Sequence, residues 1–246
     1  MLVVGCGKDK TEGEDKELVV LCGSSFPNPM GELCSQFTEQ TRIKFATTVA
    51  VSENHLPPIK TARKGDIFVT HDPYLDYIRD ANCLLDYVHV GYVSPVLAVQ
   101  PGNPKGVHSI QDLTRPGLKL GMGDPDACAI GRTSRQILAK NNIAWEKIKK
   151  HVAYLSLTVN ELGMQIQAKS LDAVIVWDAM AQYYSEYGNE VPIAPEKNIV
   201  STVDVGVLKF TRNRELAEKF VDFITSERGQ EVFKKHNYST KPPEQI

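Results

Sequence analysis

With 246 residues, 28 Lys and Arg against 30 Asp and Glu, and 42% hydrophobic side chains, the chain has the size of one large domain or two small ones and the makeup of an ordinary globular protein. A formal charge of −2 and 8% aromatic residues leave neither the basic face nor the stacking surface that nucleic-acid binding demands. No apolar run reaches the roughly 20 residues of a membrane helix.

In chain order, the first signal is Leu2-Val3-Val4-Gly5-Cys6-Gly7, which reads as the tail of a bacterial lipoprotein signal whose thiol, that of Cys6, receives a lipid. A chance Gly-Cys is the plainer alternative. Residues 7–16 are charged, include two glycines and lack any large apolar side chain. Such a segment cannot offset its ordering entropy by burial, so residues 1–16 read as a truncated signal and a flexible tether. A lipidated thiol, a tether and a folded body describe a protein held on the outer side of a membrane.

The body alternates strands and helices. Glu17 to Leu21 is a buried strand, followed by a helix that shows Met30, Leu33, Cys34 and Phe37 on one face. Asp66 to Thr70 is a strand, and Asp72-Pro73 reads as an N-cap with proline at the first helical position. Val96–Gln100 and Leu118–Met122 are strands on either side of the punctuated run from Pro101 to Gly106. Gly131–Lys140 and Thr158–Ala168 are helices, the second opened by a capping box of Thr158 and Glu161. Ala173–Trp177 is a further buried strand. Two capped helices, Asn213–Phe223 and Ser226–Lys235, end the body. The alternation predicts an α/β fold on parallel sheets. In that fold, helix N-termini with unpaired amides gather at the carboxyl edge, where ligands bind.

Four turns at that edge suit an anion. They are Gly23-Ser24-Ser25-Phe26-Pro27-Asn28, Ser52-Glu53-Asn54-His55, the small-residue turn from Gly123 to Gly131, and Thr158-Val159-Asn160. Each has a plainer reading: Ser25 can be a helix cap, and the capping box accounts for Thr158. Cys128 has no His or Asn placed near it to make it a nucleophile. The five cysteines form no C-x-x-C pair, the histidines lack ligand spacing, and His71, Asp72 and Asp76 fit a single helix start, so no cation site and no cofactor are expected. Gly121-Met122-Gly123 lacks the third glycine of a dinucleotide loop, and no hydrolase elbow or phosphate-binding loop occurs.

From about Leu18 to Tyr238 the chain resembles the molybdate-binding proteins of bacterial ABC importers, within the type II periplasmic binding protein superfamily. The matching segments are Ser25-Phe26-Pro27-Asn28-Pro29-Met30, Asp66 to Asp72 with Asp76-Tyr77, Gly123-Asp124-Pro125-Asp126 with Gly131, Val159, and the ending from Glu215 to Gln230. The resemblance implies a two-lobed fold with a mainly parallel sheet in each lobe and a ligand cleft between. Lobe one would be residues 17–95 and 201–246, and lobe two residues 96–200. The implied ligand set is Ser24, Ser25, Ser52 and Asn54 from the first lobe, with Cys128, Ala129, Ile130, Thr158, Val159, Trp177 and Asp178 from the second.

Two departures stand out. Ser52, Asn54 and His55 occupy the family's second loop, and Trp177 and Asp178 stand where the family has a tyrosine. A carboxylate at Asp178 would repel a dianion unless it lies outside the pocket or bonds a protonated ligand. The implied activity is capture of a tetrahedral oxyanion, molybdate or tungstate, outside the cytoplasm and delivery to an ABC permease and ATPase. Membrane attachment would come through Cys6. The alternatives are another small anion (sulfate, phosphate or a carboxylate), an enzyme, or a regulator's effector domain. No acid–base pair at a plausible spacing or DNA-binding segment speaks for the last two, so no enzyme is expected.

Overall fold

A computed structural model describes residues 17–242; Cys6 and the tether lie outside them. The chain opens with three strand–helix units: β1 (Glu17–Gly23) and α1 (Pro27–Thr41), β2 (Lys44–Ala50) and α2 (Ser52–Lys60), β3 (Ile67–His71) and α3 (Tyr74–Asp80). β4 (Leu84–Val93) follows, and Ser94 alone separates it from β5 (Pro95–Val99). Then come β6 (Leu120–Gly123), α4 (Ala129–Lys140), α5 (Trp145–Lys149), β7 (Val152–Ser156), α6 (Val159–Gln167), β8 (Ala173–Trp177), α7 (Asp178–Tyr183) and β9 (Asn189–Pro192). β10 (Ser201–Leu208), α8 (Arg214–Thr225) and α9 (Glu227–Lys235) complete the body.

Among the described residues these strands make two five-stranded sheets, ordered β2-β1-β3-β10-β4 and β7-β6-β8-β5-β9. Both are mixed: in each, four strands run one way and one runs against them. β1 runs parallel to β2 and β3, and β6 to β7 and β8, but β10 and β5 run antiparallel to both their neighbours. The reason lies in the connections. β5 and β10 are the strands on which the chain enters a lobe from the other one, so they start at the cleft. The parallel strands end there. Pro95 accordingly pairs with Trp177, the last residue of β8, and Val203 with His71, the last of β3.

Continuous apolar runs mark the strands buried on both faces: every residue of β3, β5 and β8 is buried. The buried face of α1 is Met30, Leu33, Cys34 and Phe37, with Pro29. Two local expectations are corrected. Asp72 does not cap α3, because its amide donates to the Thr202 carbonyl (3.3 Å) and extends the sheet edge; Pro73 takes the cap position, with no side-chain bond. Ser52-Glu53-Asn54-His55 is not a turn but the start of α2, which continues through Pro57 and Pro58. The Thr158 cap is present: its hydroxyl accepts from the Glu161 amide (3.3 Å), while Glu161 Oε2 accepts from Leu157 N–H (3.1 Å).

Candidate functional site

The carboxyl ends of β1, β2, β3, β6, β7 and β8 face one another across a small cavity. Ser24, Ser25, Val51, Ser52, Glu53 and His71 line it from the first lobe, and Cys128, Ala129, Ile130, Thr158, Val159 and Trp177 from the second. It leaves about 20 Å³ for the centres of water-sized atoms, where one water needs about 10–15 Å³ on the same measure. That is room for a compact group of few atoms, not for a sugar or a peptide. Of the residues expected at the site, Ser24, Ser25, Ser52, Cys128, Ala129, Ile130, Thr158, Val159 and Trp177 come together here, whereas Asn54 and Asp178 do not line the cavity. Val51, Glu53 and His71 were not foreseen.

The two lobes bring different donors. α1 begins Pro27-Asn28-Pro29, so two of its first three residues have no N–H. Its N-cap is Phe26, with no side-chain cap bond. Ser25 therefore does not cap the helix; its carbonyl accepts from the Tyr238 hydroxyl. What the first lobe offers is hydroxyls. The Thr70 hydroxyl donates to Ser52 Oγ at 2.8 Å, which leaves the Ser52 proton to be donated elsewhere. Gly23 keeps the space for it, since a Cβ there would lie 3.0 Å from Ser52 Oγ.

The second lobe offers amides. Ala129 and Ile130 are the first two residues of α4, and Val159 is the first of α6. Amides in a first helical turn have no intrahelical partner and carry the positive end of the helix dipole. The turn before α4 folds tightly onto it, with the Ala127 and Cys128 amides both donating to the Asp124 carbonyl (3.2 and 3.0 Å). Glycine permits this approach: a Cβ on Gly123 would lie 2.7 Å from the Gly131 nitrogen.

Among the described residues no lysine or arginine lines the cavity. His71 sits against the rings of Phe26 (5.7 Å), Tyr74 (5.6 Å) and Trp177 (5.3 Å), and burial pushes its pKa down to about 4, so the ring is neutral at pH 7. Burial also pushes the Cys128 thiol up to about 11, and its Sγ donates to the Ser156 carbonyl (3.7 Å), which disarms it as a nucleophile. Cys22 and Cys34 are likewise buried free thiols pushed up to about 12. Among the described residues no group of three acidic, Cys or His side chains could hold a metal ion.

Among the described residues Glu53 is the one carboxylate that lines the cavity. Its Oε1 accepts from the Tyr74 hydroxyl and from Arg132 Nη2 (3.1 Å), while Oε2 is buried without a partner. Neutral donors converging from helix ends, with no cationic side chain among them, suit a small anion.

Asp178 lies beside the cavity, at the first position of α7. Its amide donates to the Ser94 carbonyl (2.9 Å), and its Oδ1 accepts from the Ala179 amide (2.8 Å). Burial raises its pKa from 3.8 to about 6. The fold thus favours the neutral carboxyl: this contribution is full below the unfolded value and is lost as pH rises through about 6. Asp178→Asn should raise stability at pH 7 by about 2 kcal/mol, discounting for partial solvent contact, and change little at pH 4. Urea unfolding at the two pH values checks this; equal shifts at both would mean that the carboxylate is welcome as an anion. His71, with its lowered pKa, gives the opposite slope as pH falls from 6.5 through about 4, and the difference between wild type and variant removes it.

A family profile described as bacterial extracellular solute-binding protein matches residues 18–239. The chain belongs to that family. One relative of this solute-binding protein is the molybdate-binding protein ModA of Mycobacterium tuberculosis, 23% identical over 255 residues that cover 97% of this chain and 94% of that one. Among solved structures, the periplasmic molybdate-binding protein of Azotobacter vinelandii superposes with a TM-score of 0.77 at 16% identity, covering 92% of this chain and all of that one. The sulfate-binding protein SubI of Mycobacterium tuberculosis gives 0.79 at 15% identity, covering 92% and 88%. At such identities the likeness is one of fold: the two-lobed type II periplasmic binding protein architecture.

Proposed function

We propose that this solute-binding protein captures a tetrahedral oxyanion, molybdate or tungstate, outside the cytoplasm and delivers it to the permease and ATPase of an ABC importer. The observation that supports this reading is that Ser24, Ser25 and Ser52 line one cavity of ion size together with Ala129, Ile130 and Val159, the residues that open α4 and α6. The indole N–H of Trp177, a donor only, fits the same purpose. A fully ionised oxyanion accepts hydrogen bonds on every oxygen and donates none, so a cage of neutral donors replaces its hydration shell without a countercharge. A smaller ion such as sulfate would leave some donors of a rigid cage out of reach. Capture works by closure: residues 17–95 with 201–246 move against 96–200, and the ion stabilises the closed state through its greater affinity for it. The relative and the solved structure named for molybdate support the choice of ion. The sequence around Cys6 and the tether supports attachment to the outer face of the membrane by a lipid, with no nucleic-acid partner.

A second reading is hydrogenphosphate, which carries a proton and needs an acceptor. The buried, unpartnered Oε2 of Glu53 favours it. Titration calorimetry with molybdate, tungstate, sulfate and phosphate between pH 6 and 8 separates the two. Tightest binding of molybdate or tungstate supports the first reading; phosphate binding that follows its monoprotonated form supports the second. In the same assay Ser25→Ala is expected to bind about tenfold more weakly, through one lost charge-assisted bond. Unchanged affinity would remove Ser25 from the ligand's shell.

A further inference from the structure

Glu53 presents a difficulty for any anion site. It brings a negative charge to a cavity lined otherwise by neutral groups, and a carboxylate beside a dianion repels it. The compensating charge belongs to the other lobe. Glu53 is in the first turn of α2 and Tyr74 begins α3, both in the first lobe, while Arg132 lies in the first turn of α4, in the second. Arg132 Nη2 donates to Glu53 Oε1 at 3.1 Å, and its Nη1 to the Tyr74 hydroxyl at 2.9 Å. The Tyr74 hydroxyl in turn donates to that same Oε1, and the guanidinium lies over the Tyr74 ring at 5.5 Å. The arginine is thus held by two residues across the cleft through both ends of its planar fork, a geometry that lysine cannot reproduce.

Each partner also adjoins a ligand-facing group. Glu53 follows Ser52 directly, and Arg132 lies on the helix whose first two residues line the cavity. Parting the lobes would therefore remove the arginine from the carboxylate and the α4 amides from the hydroxyls in a single movement.

We propose that Glu53 and Arg132 form an electrostatic gate that ties anion affinity to lobe closure. In the open molecule the Glu53 carboxylate, bonded only by Tyr74, disfavours an anion at the Ser52 side of the cleft. Closure delivers Arg132, cancels that charge and completes the donor cage. The site then holds its ion in the closed state and repels it on opening, which sharpens both capture and release. Linkage is reciprocal: the bound ion strengthens closure by the same factor by which closure strengthens binding. This inference rests on the oxyanion reading above.

A double-mutant cycle on the full chain, read by titration calorimetry with molybdate, tests it. Arg132→Gln should weaken binding about tenfold or more, because it leaves Glu53 uncompensated in the closed state. Glu53→Gln alone should bind at least as tightly as wild type, and the double variant should return to within about threefold of it. Arg135→Gln, on the same helix but paired with the exposed Asp126 (3.2 Å) outside the cavity, should leave affinity unchanged and so rules out a general charge effect. Thermal melting identifies a variant that fails to fold. Should Arg132→Gln do so, Arg132→Lys takes its place: it keeps the charge but loses the fork, and should weaken binding in a way that Glu53→Gln relieves. Wild-type affinity in the arginine variant, or a double variant as weak as the single one, overturns the gate while leaving the oxyanion reading intact. Failure of the wild type to bind any of the four anions overturns both.

Discussion

Gly131→Ala is expected to abolish the proposed oxyanion binding and to lower folding stability by about 3 kcal/mol. Gly131 is the third residue of α4. A Cβ there would lie 2.3 Å from the Asp124 carbonyl oxygen, 2.4 Å from its carbon and 2.5 Å from the Gly123 oxygen. All three atoms are backbone, so no side chain can swing aside. The turn from Gly123 to Cys128 must lift away from the helix, and its lift displaces Ala129 and Ile130, which line the cavity. Folding and binding should therefore fail together. Gly31→Ala provides the contrast. A Cβ at Gly31, on the exposed side of α1, meets nothing within 4 Å, and alanine should stabilise the helix by up to about 1 kcal/mol without touching affinity. Urea unfolding and calorimetry on the two variants read both effects. A Gly131→Ala protein that unfolds and binds like wild type would show that the turn is not packed against α4.

The sequence was most legible where burial is complete. Ala173–Trp177 has the same bounds in the sequence reading and in the structure because a strand covered on both faces leaves an unbroken apolar run. The face of α1 was legible for the same reason, written at helical rather than strand spacing. β2 and β4 escaped because they are the edges of their sheet: most residues of Lys44–Ala50 are exposed or half-buried, so neither alternation nor a run survives. α2 was hidden by its two internal prolines, which break the sequence signal of a helix more than the helix itself.

The site divides the same way. Turns rich in small residues and caps announced themselves, since the chemistry that ends a strand and starts a helix is local. The choice among Ser52, Glu53, Asn54 and His55 was not local. Only the helix that they form turns Ser52 and His55 inward and Asn54 to solvent, and without that helix Asn54 looked as good a donor as Ser52. Glu53 had no signal at all, because its partners Tyr74 and Arg132 are 21 and 79 residues away. His71 did have one: it ends a strand, and strand ends face the cleft.

Val159→Pro should weaken the proposed oxyanion binding by about 10–100-fold while costing no more stability than the loss of the buried valine side chain does, about 1–3 kcal/mol. Val159 is the first residue of α6, where proline's fixed φ is already helical and where the lost N–H had no partner in the helix. Thr158, at φ −137° and ψ 152°, already has the extended backbone that a residue before proline adopts. The helix therefore gives up no backbone hydrogen bond it uses, whereas the cavity loses one amide donor. Val159→Ala is the complement. It keeps the amide but removes two methyl groups from a side chain that is 3% exposed, so stability should fall while affinity holds. If the proline variant bound as tightly as wild type and the alanine variant bound poorly, packing rather than the backbone donor would hold the ion, and a cage of helix-end amides could no longer explain how the proposed dianion is retained without a cationic side chain among the described lining residues.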